Sequence, residues 1–137
     1  MLAVVDSGPL YATIDLDDRD HERCVEVFQR RDLDFVIPAL VIAEVTYLVG
    51  RSLGARYEAA FLRGLREISV RSPDVDDWDR IADLVARYGD FPLGGTDASV
   101  IALAERLDTD LVITLDERHF RAVRPRHCRA FRLLPSA

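Results

Sequence analysis

Short apolar runs alternate along the chain with longer segments in which apolar residues recur at helical spacing. Fully apolar runs of this length are typical of strands that are buried on both faces. They predict strands at Leu2–Val5, Phe35–Ile37, Ile68–Val70, Leu111–Leu115 and, at an edge, Ala130–Leu134. The segments between them predict helices over Asp18–Arg31, Ala39–Arg51, Ala55–Glu67, a segment from Ser72–Asp74 through Tyr88, and Asp97–Leu107 with Thr96 as its cap.

Strands that alternate with helices indicate βαβ units, a short central parallel sheet and helices on both faces of it. The pattern has no repeat, linker or low-complexity segment, so we expect one α/β domain over residues 1–137. The longest apolar run, Val36–Val49, is too short and too polar to cross a membrane. The first residues lack a basic segment, and the two cysteines form no disulfide framework, so we expect a cytoplasmic protein.

Charge is distributed unevenly. All 18 basic residues are arginine, and the absence of lysine excludes a phosphate-binding loop of the GxxxxGK[ST] kind and Schiff-base catalysis. The net charge of −6 argues mildly against a nucleic-acid ligand. However, Glu117–Ala137 contains six arginines and one acid, which gives +5 and leaves −11 on the remainder. This segment is either a local basic surface or a solvated, arginine-rich tail.

Four acidic residues differ from the others in their sequence context. Asp6 and Asp116 each directly follow a predicted buried strand, and ligands of parallel α/β sheets bind beyond the carboxyl ends of the strands. Glu44 has apolar neighbours on every side of its predicted helix, so we expect a buried carboxylate that needs a cation, a proton or donors. Asp97 opens an apolar helix, where it is either a site residue or an ordinary first-turn acid.

Carboxylates that converge without nearby basic partners repel one another unless a divalent cation lies between them. Oxygen ligands favour Mg²⁺ or Mn²⁺. Such sites usually perform phosphoryl-transfer chemistry, because the ion keeps water ligands and binds substrate phosphate. The four acids therefore predict a metal site.

The segments around these acids resemble the motifs of the PIN domain, and more narrowly those of the VapC ribonuclease toxins of bacterial toxin–antitoxin pairs. The match is collinear and covers nearly the whole chain, through Val4–Leu10, Ile37–Val45, Gly95–Leu107 and Ile113–Phe120. One departure is Glu117, where many relatives have arginine. The resemblance implies Mg²⁺-dependent endonucleolytic cleavage of RNA, homodimerisation and a VapB-type antitoxin. It also implies that the catalytic and metal-binding residues are Asp6, Glu44, Asp97 and Asp116.

A second set of residues is predicted to assist the four acids. Ser7 and Thr114 either orient carboxylate ligands or cap backbone groups at strand ends. Asp90, in the loop before the third motif, either faces the site or forms a turn. His119 is expected to be structural or to face RNA. Phosphate contacts are expected from two arginines beside the fourth motif, Arg118 and Arg121.

Three alternatives compete with the nuclease. A phosphatase with an aspartyl nucleophile usually has Asp-x-Asp after its first strand, whereas Gly8 occupies the second position here. That enzyme and a phospho-acceptor receiver domain both normally depend on a lysine, which this chain lacks. The third alternative is an interaction module that keeps the fold without catalysis, although all four acids are present.

Overall fold

The computed structural model describes residues 1–136. Its five strands form one sheet in the order β3-β2-β1-β4-β5, and every neighbouring pair is parallel. The strands are β1 Leu2–Val5, β2 Asp34–Pro38, β3 Ser69–Arg71, β4 Leu111–Ile113 and β5 Arg132–Leu134. The predicted parallel sheet is confirmed, and all five predicted strands lie within about two residues of their expected positions.

Seven helices surround the sheet within residues 1–136. They are α1 Ser7–Ile14, α2 His21–Phe28, α3 Ala39–Leu53, α4 Ala55–Gly64, α5 Val75–Arg87, α6 Gly95–Arg106 and α7 Glu117–Ala122. The five predicted helices are present, and α4 is followed by a single 3-10 turn over Leu65–Glu67. The pattern predicted neither α1 nor α7, which are short and directly follow the ends of β1 and β4.

The connections place helices on both faces of the sheet. The chain passes from β1 to β2 to β3 in one direction and then returns to β4 and β5 on the other side of β1. Because crossovers between parallel strands are almost always right-handed, we expect the β1–β2 and β2–β3 connections on one face and the β3–β4 and β4–β5 connections on the other. Helix α1 packs against α2 and α3, and α5 packs against α6, as this arrangement requires, while α3 and α6 also contact each other. The carboxyl ends of β1 and β4 are where the chain order reverses, which is where ligands bind in such folds.

The core forms around β1 and α6. Strand β1 is buried from Ala3 onward, and every residue of α6 from Ala98 to Ala104 is buried. The cap predicted at Thr96 is wrong, because α6 begins at Gly95 and its N-cap is Gly94. An edge position explains the exposure of β3, whose three residues are all exposed. In the described part of the chain, no helix is both long enough and apolar enough for a membrane span.

Candidate active site

The predicted acids meet at the carboxyl edge of the sheet. Val5 of β1 pairs with Ile113 of β4, and the backbone N–H of Asp6 donates to the carbonyl of Ile113 at 2.9 Å. This register places the residues after both strands side by side. A cleft of about 840 Å³ opens there. Its lining includes all four predicted acids, Asp6, Glu44, Asp97 and Asp116.

Asp6 is the most buried of these acids, with 6% of its surface exposed. Its carboxylate accepts a hydrogen bond from the Thr114 hydroxyl at 2.7 Å. Burial raises the pKa of Asp6 to about 6, against the lowering effect of Thr114 and of the Ser7 backbone. The negative charges of Asp97 and Glu44 add to the rise. The site therefore holds Asp6 in a place where its charge is poorly compensated by the protein.

Thr114 connects two of the acids. Its hydroxyl donates to Asp6 and accepts from the backbone N–H of Asp116 at 2.9 Å, so one buried side chain fixes the relative position of both residues. The neighbouring Ser7 is also buried, and its hydroxyl oxygen has no hydrogen-bond partner within residues 1–136. Thr114 therefore orients a carboxylate, which is one of the two roles left open for it, whereas the Ser7 hydroxyl makes neither of the contacts expected. An unpartnered, buried hydroxyl beside a desolvated carboxylate indicates a site built for a further polar group.

Asp97 and Asp116 approach each other from the first turns of two helices. Asp97 lies in the first turn of α6, and Asp116 precedes α7, where it accepts the backbone N–H of His119 at 3.1 Å. Burial raises the pKa of Asp97, with further rises from Asp116 and Glu44 and a partial offset from His119. Ligand atoms of Asp97, Asp116 and His119 all lie within 4.8 Å of one another. This group could hold a divalent metal ion.

His119 was expected to be structural or to face RNA, yet its ring lies beside two of the acids. Its Nδ1 is hydrogen-bonded to Asp116 and lies 3.7 Å from Asp97, while Nε2 lies 3.1 Å from the carbonyl of Phe91. Both ring nitrogens therefore have oxygen partners in the site. The expectation of an oxygen-only donor set is therefore incomplete. Spacing of three residues from Asp116 would have indicated this contact if α7 had been predicted as a helix.

Glu44 lines the cleft, but not as the buried carboxylate that the sequence predicts. The prediction of a buried carboxylate is wrong, because Glu44 is exposed and α3 buries only Val41, Val45 and Val49. The apolar neighbours of Glu44 in sequence point to other sides of the helix. Its carboxylate still contributes to the field of the site, since it raises the pKa of both Asp6 and Asp97.

The other predicted residues divide into two groups. Arg118 lines the cleft, and its guanidinium lies over the ring of Phe91 at 4.9 Å from the ring centroid. Arg121 does not line it and instead lies 3.7 Å from Glu117 on the exposed surface of α7. Asp90 is exposed and also lies outside the cleft lining. Arg23 of α2 also reaches the cleft, although no pattern in the sequence indicated it.

The donor set fits a hard divalent cation. Within residues 1–136, no arginine forms an ion pair with any of the four acids, and His119 is the one basic group paired with them. Carboxylates with raised pKa values and an unpartnered hydroxyl are groups that a bound cation would stabilise. The imidazole nitrogen widens the choice toward ions such as Mn²⁺ that accept both oxygen and nitrogen ligands.

Comparisons with known proteins agree with this geometry. The model of the PIN domain family matches residues 3–124. The chain is 31% identical to ribonuclease VapC26 of Mycobacterium tuberculosis (strain ATCC 25618 / H37Rv) over 134 residues, which is 96% of this chain and 99% of the relative.

Two solved structures show the same fold. VapC20 of Mycobacterium tuberculosis, described as a toxin that cleaves the sarcin–ricin loop, superposes with a TM-score of 0.73 at 17% identity over 80% of this chain and 86% of that one. DNA-bound VapBC from Salmonella typhimurium superposes with a TM-score of 0.66 at 20% identity over 97% of each chain. Together with the family model and the curated relative, they lead to one assignment: the chain belongs to the PIN-domain family, within the group of the VapC ribonucleases.

Proposed function

We propose that this protein is a Mg²⁺-dependent endoribonuclease and the toxin of a toxin–antitoxin pair. The observation that carries the proposal is the convergence of four carboxylates from separate elements on one cleft, with Asp6 buried and its pKa raised to about 6. A relative named as a ribonuclease is 31% identical to this chain, and a toxin that cleaves the sarcin–ricin loop has a similar fold. In this proposal Asp6, Glu44, Asp97 and Asp116 are both the metal ligands and the catalytic residues.

Magnesium fits the carboxylates, and Mn²⁺ substitutes for it. When bound, the ion would activate a water for attack on phosphorus and offset charge on the phosphoryl oxygens. The protein's own residues hold the acids in place for this chemistry. The Thr114 hydroxyl orients Asp6 and the backbone of Asp116, while Ser7 offers its unpartnered hydroxyl at the same place.

His119 contacts two of the acids in the cleft. Its Nδ1 faces both Asp97 and Asp116, and it partly offsets the rise in the pKa of Asp97. Arg118, whose guanidinium lies over the ring of Phe91, presents that guanidinium to a phosphate of the RNA. Arg121, beside Glu117 on the exposed surface of the same helix, contacts a phosphate outside the cleft.

The partners follow from the relatives. Related folds have been solved as VapBC complexes, including those from Salmonella typhimurium and Rickettsia felis bound to DNA. We infer a VapB-type antitoxin that covers the cleft and inserts a basic side chain, because an arginine pairs well with clustered carboxylates. We also infer a homodimer, acting in the cytoplasm, where free thiols such as Cys24 and Cys128 persist.

A cleavage assay tests the proposal. Purified protein should cut single-stranded or loop RNA with Mg²⁺ or Mn²⁺ and stop when EDTA is added. Alanine at Asp6, Glu44, Asp97 or Asp116 should each remove nearly all activity, because the ligands act as a unit. Metal-dependent cleavage that persists in the Asp97→Ala protein would refute the site. Failure of the wild type to cut any RNA would favour a non-catalytic interaction module.

Expression in cells tests the partner. The chain alone should slow growth, whereas the Asp97→Ala variant should not. Co-expression of the adjacent gene should restore growth, and its product should co-purify with this chain. A neighbour that neither restores growth nor co-purifies would contradict the toxin–antitoxin assignment while leaving the nuclease intact.

A further inference from the structure

Arg23 reaches the acidic cleft from α2, far in sequence from the four acids. Its Nε donates to Asp20 at 2.8 Å, and 42% of the side chain is exposed. Within residues 1–136, its two terminal nitrogens have no hydrogen-bonded acceptor. The guanidinium is therefore anchored through one nitrogen and keeps its other donors for a ligand.

The anchor is itself fixed. Asp20 directly precedes α2, only 18% of its side chain is exposed, and its backbone N–H donates to Asp18 at 2.8 Å. Because the backbone of Asp20 is held and its side chain is mostly enclosed, its carboxylate limits the orientations open to Arg23. Less side-chain freedom is lost when such a pre-positioned guanidinium binds an anion, and binding is stronger for that reason.

Arg23 lies where the cleft meets a second groove. That groove has a volume of about 400 Å³ and shares Arg23 and Pro135 with the cleft lining. Its other lining residues include Arg30 and Leu134. A chain that leaves the cleft on this side must pass Arg23 to enter the groove.

Two arginines reach the cleft from separate connections of the sheet. Arg23 comes from α2, between β1 and β2, and Arg118 comes from α7, between β4 and β5. The same cleft contains four carboxylates, which repel a polyanion. An RNA strand with one phosphate at the acids therefore needs cations that hold the phosphates on either side.

We propose that Arg23, positioned by Asp20, binds a backbone phosphate of the RNA next to the cleavage position, where the strand passes from the cleft into the adjoining groove. The role rests on the proposed nuclease function. Recognition is of the phosphate, because a guanidinium with two free donors matches phosphate oxygens and carries no information about the base. Arg23 is thus a substrate-positioning residue and leaves the chemical step to the acids.

The matched variants are Arg23→Gln and Arg19→Gln. Arg19 makes the same charge change possible, lies 3.9 Å from the same Asp20, is 92% exposed and does not line the cleft. With a short single-stranded RNA and Mn²⁺, Arg23→Gln should raise KM about tenfold, the loss typical of one charge-assisted hydrogen bond, and leave kcat within about twofold. The slope of log(kcat/KM) against log salt should become shallower by about 0.7. Arg19→Gln should match the wild type.

Three outcomes would overturn the role of Arg23. These are an unchanged KM in Arg23→Gln, equal effects of the two variants, and a loss confined to kcat. Arg23→Lys keeps the charge but loses the anchored two-donor geometry, so it should restore the salt slope and recover only part of the affinity. A KM equal to that of the wild type in Arg23→Lys would count against recognition by two guanidinium donors. Normal wild-type cleavage with an unaffected Arg23→Gln refutes this role alone, whereas absence of wild-type cleavage refutes the nuclease as well.

Discussion

The acidic cleft and the α5–α6 interface both bury carboxylates, with opposite electrostatic results. In the cleft, Asp6 is 6% exposed and burial raises its pKa to about 6. At the interface, the side chain of Glu105 is 10% exposed, and burial also raises its pKa. There, two hydrogen bonds from Arg80 at 2.8 Å and one from the Arg126 backbone outweigh burial, so the pKa of Glu105 lies below its usual value.

Burial alone therefore does not distinguish a structural acid from a functional one. Arg106 repeats the paired arrangement, with Asp77 at 2.8 Å and Asp74 at 3.3 Å. The cleft has carboxylates at comparable depth, yet within residues 1–136 it has no arginine paired with them. Acids that the fold leaves uncompensated are the ones that a cation can use, and their mutual repulsion lowers stability until the cation is bound.

Glu105 offers the largest expected change in stability. Glu105→Gln leaves Arg80, whose side chain is only 13% exposed, without its charged partner, and breaking such a pair should lower the free energy of unfolding by about 3 kcal/mol. RNA cleavage should stay within about threefold of wild type at a temperature where both proteins are folded. Urea unfolding and a cleavage assay on the same preparation measure the two effects.

A matched control is Glu67→Gln, which removes an exposed acid and should change neither quantity. If Glu105→Gln were as stable as wild type, the pairing of Glu105 with Arg80 would not stabilise the fold. The contrast with the unpaired acids of the cleft would then fail.

Removing the charge of Asp6 should raise the free energy of unfolding, by an amount that depends on pH. Its pKa is about 6 in the folded protein against 3.8 in the unfolded chain, so the wild type loses stability as pH rises between these values. Asn removes the charge and keeps an acceptor for Thr114. In EDTA above pH 6, Asp6→Asn should exceed the wild type by about 2 kcal/mol, below the ceiling of about 3 kcal/mol set by the pKa difference.

The difference in free energy of unfolding between Asp6→Asn and the wild type should disappear as pH falls below about 4, because Asp6 is then protonated in both the folded and the unfolded protein. Urea unfolding at several pH values in EDTA measures it. A wild type as stable as Asp6→Asn at pH 7 would show that the cleft tolerates the charge of Asp6 without a cation.

The sheet and two of the acids follow from local pattern. Buried strands read directly as apolar runs, and an acid placed just after one must lie at the carboxyl edge of a parallel sheet, as Asp6 and Asp116 do. The apolar helix that follows Asp97 predicts an acid in its first turn, which alone does not distinguish a site residue from an ordinary helix-start acid. The helix cap was misplaced because Thr96 and Gly94 are both acceptable caps, and only the backbone path distinguishes them.

Side chains brought in by tertiary packing could not be placed in the same way. Glu44 was assigned to the site by a wrong argument from burial, since a run of apolar letters does not show which side of α3 faces the core. Arg23 sits in an ordinary amphipathic helix, and only the packing of α2 beside the cleft shows its role. His119 depended on α7, a helix of six residues with too few positions for a periodic pattern.

Direct measurement of Mn²⁺ binding, by electron paramagnetic resonance of the free ion, tests the central claim that uncompensated carboxylates form one cation site. Wild type and Glu105→Gln should bind Mn²⁺ with the same affinity, because Glu105 already has its partners. Asp97→Asn should lose that binding at least tenfold, as removal of one charged ligand from a cluster predicts. If Asp97→Asn bound Mn²⁺ as tightly as the wild type, the acids in the cleft would not form a single metal site.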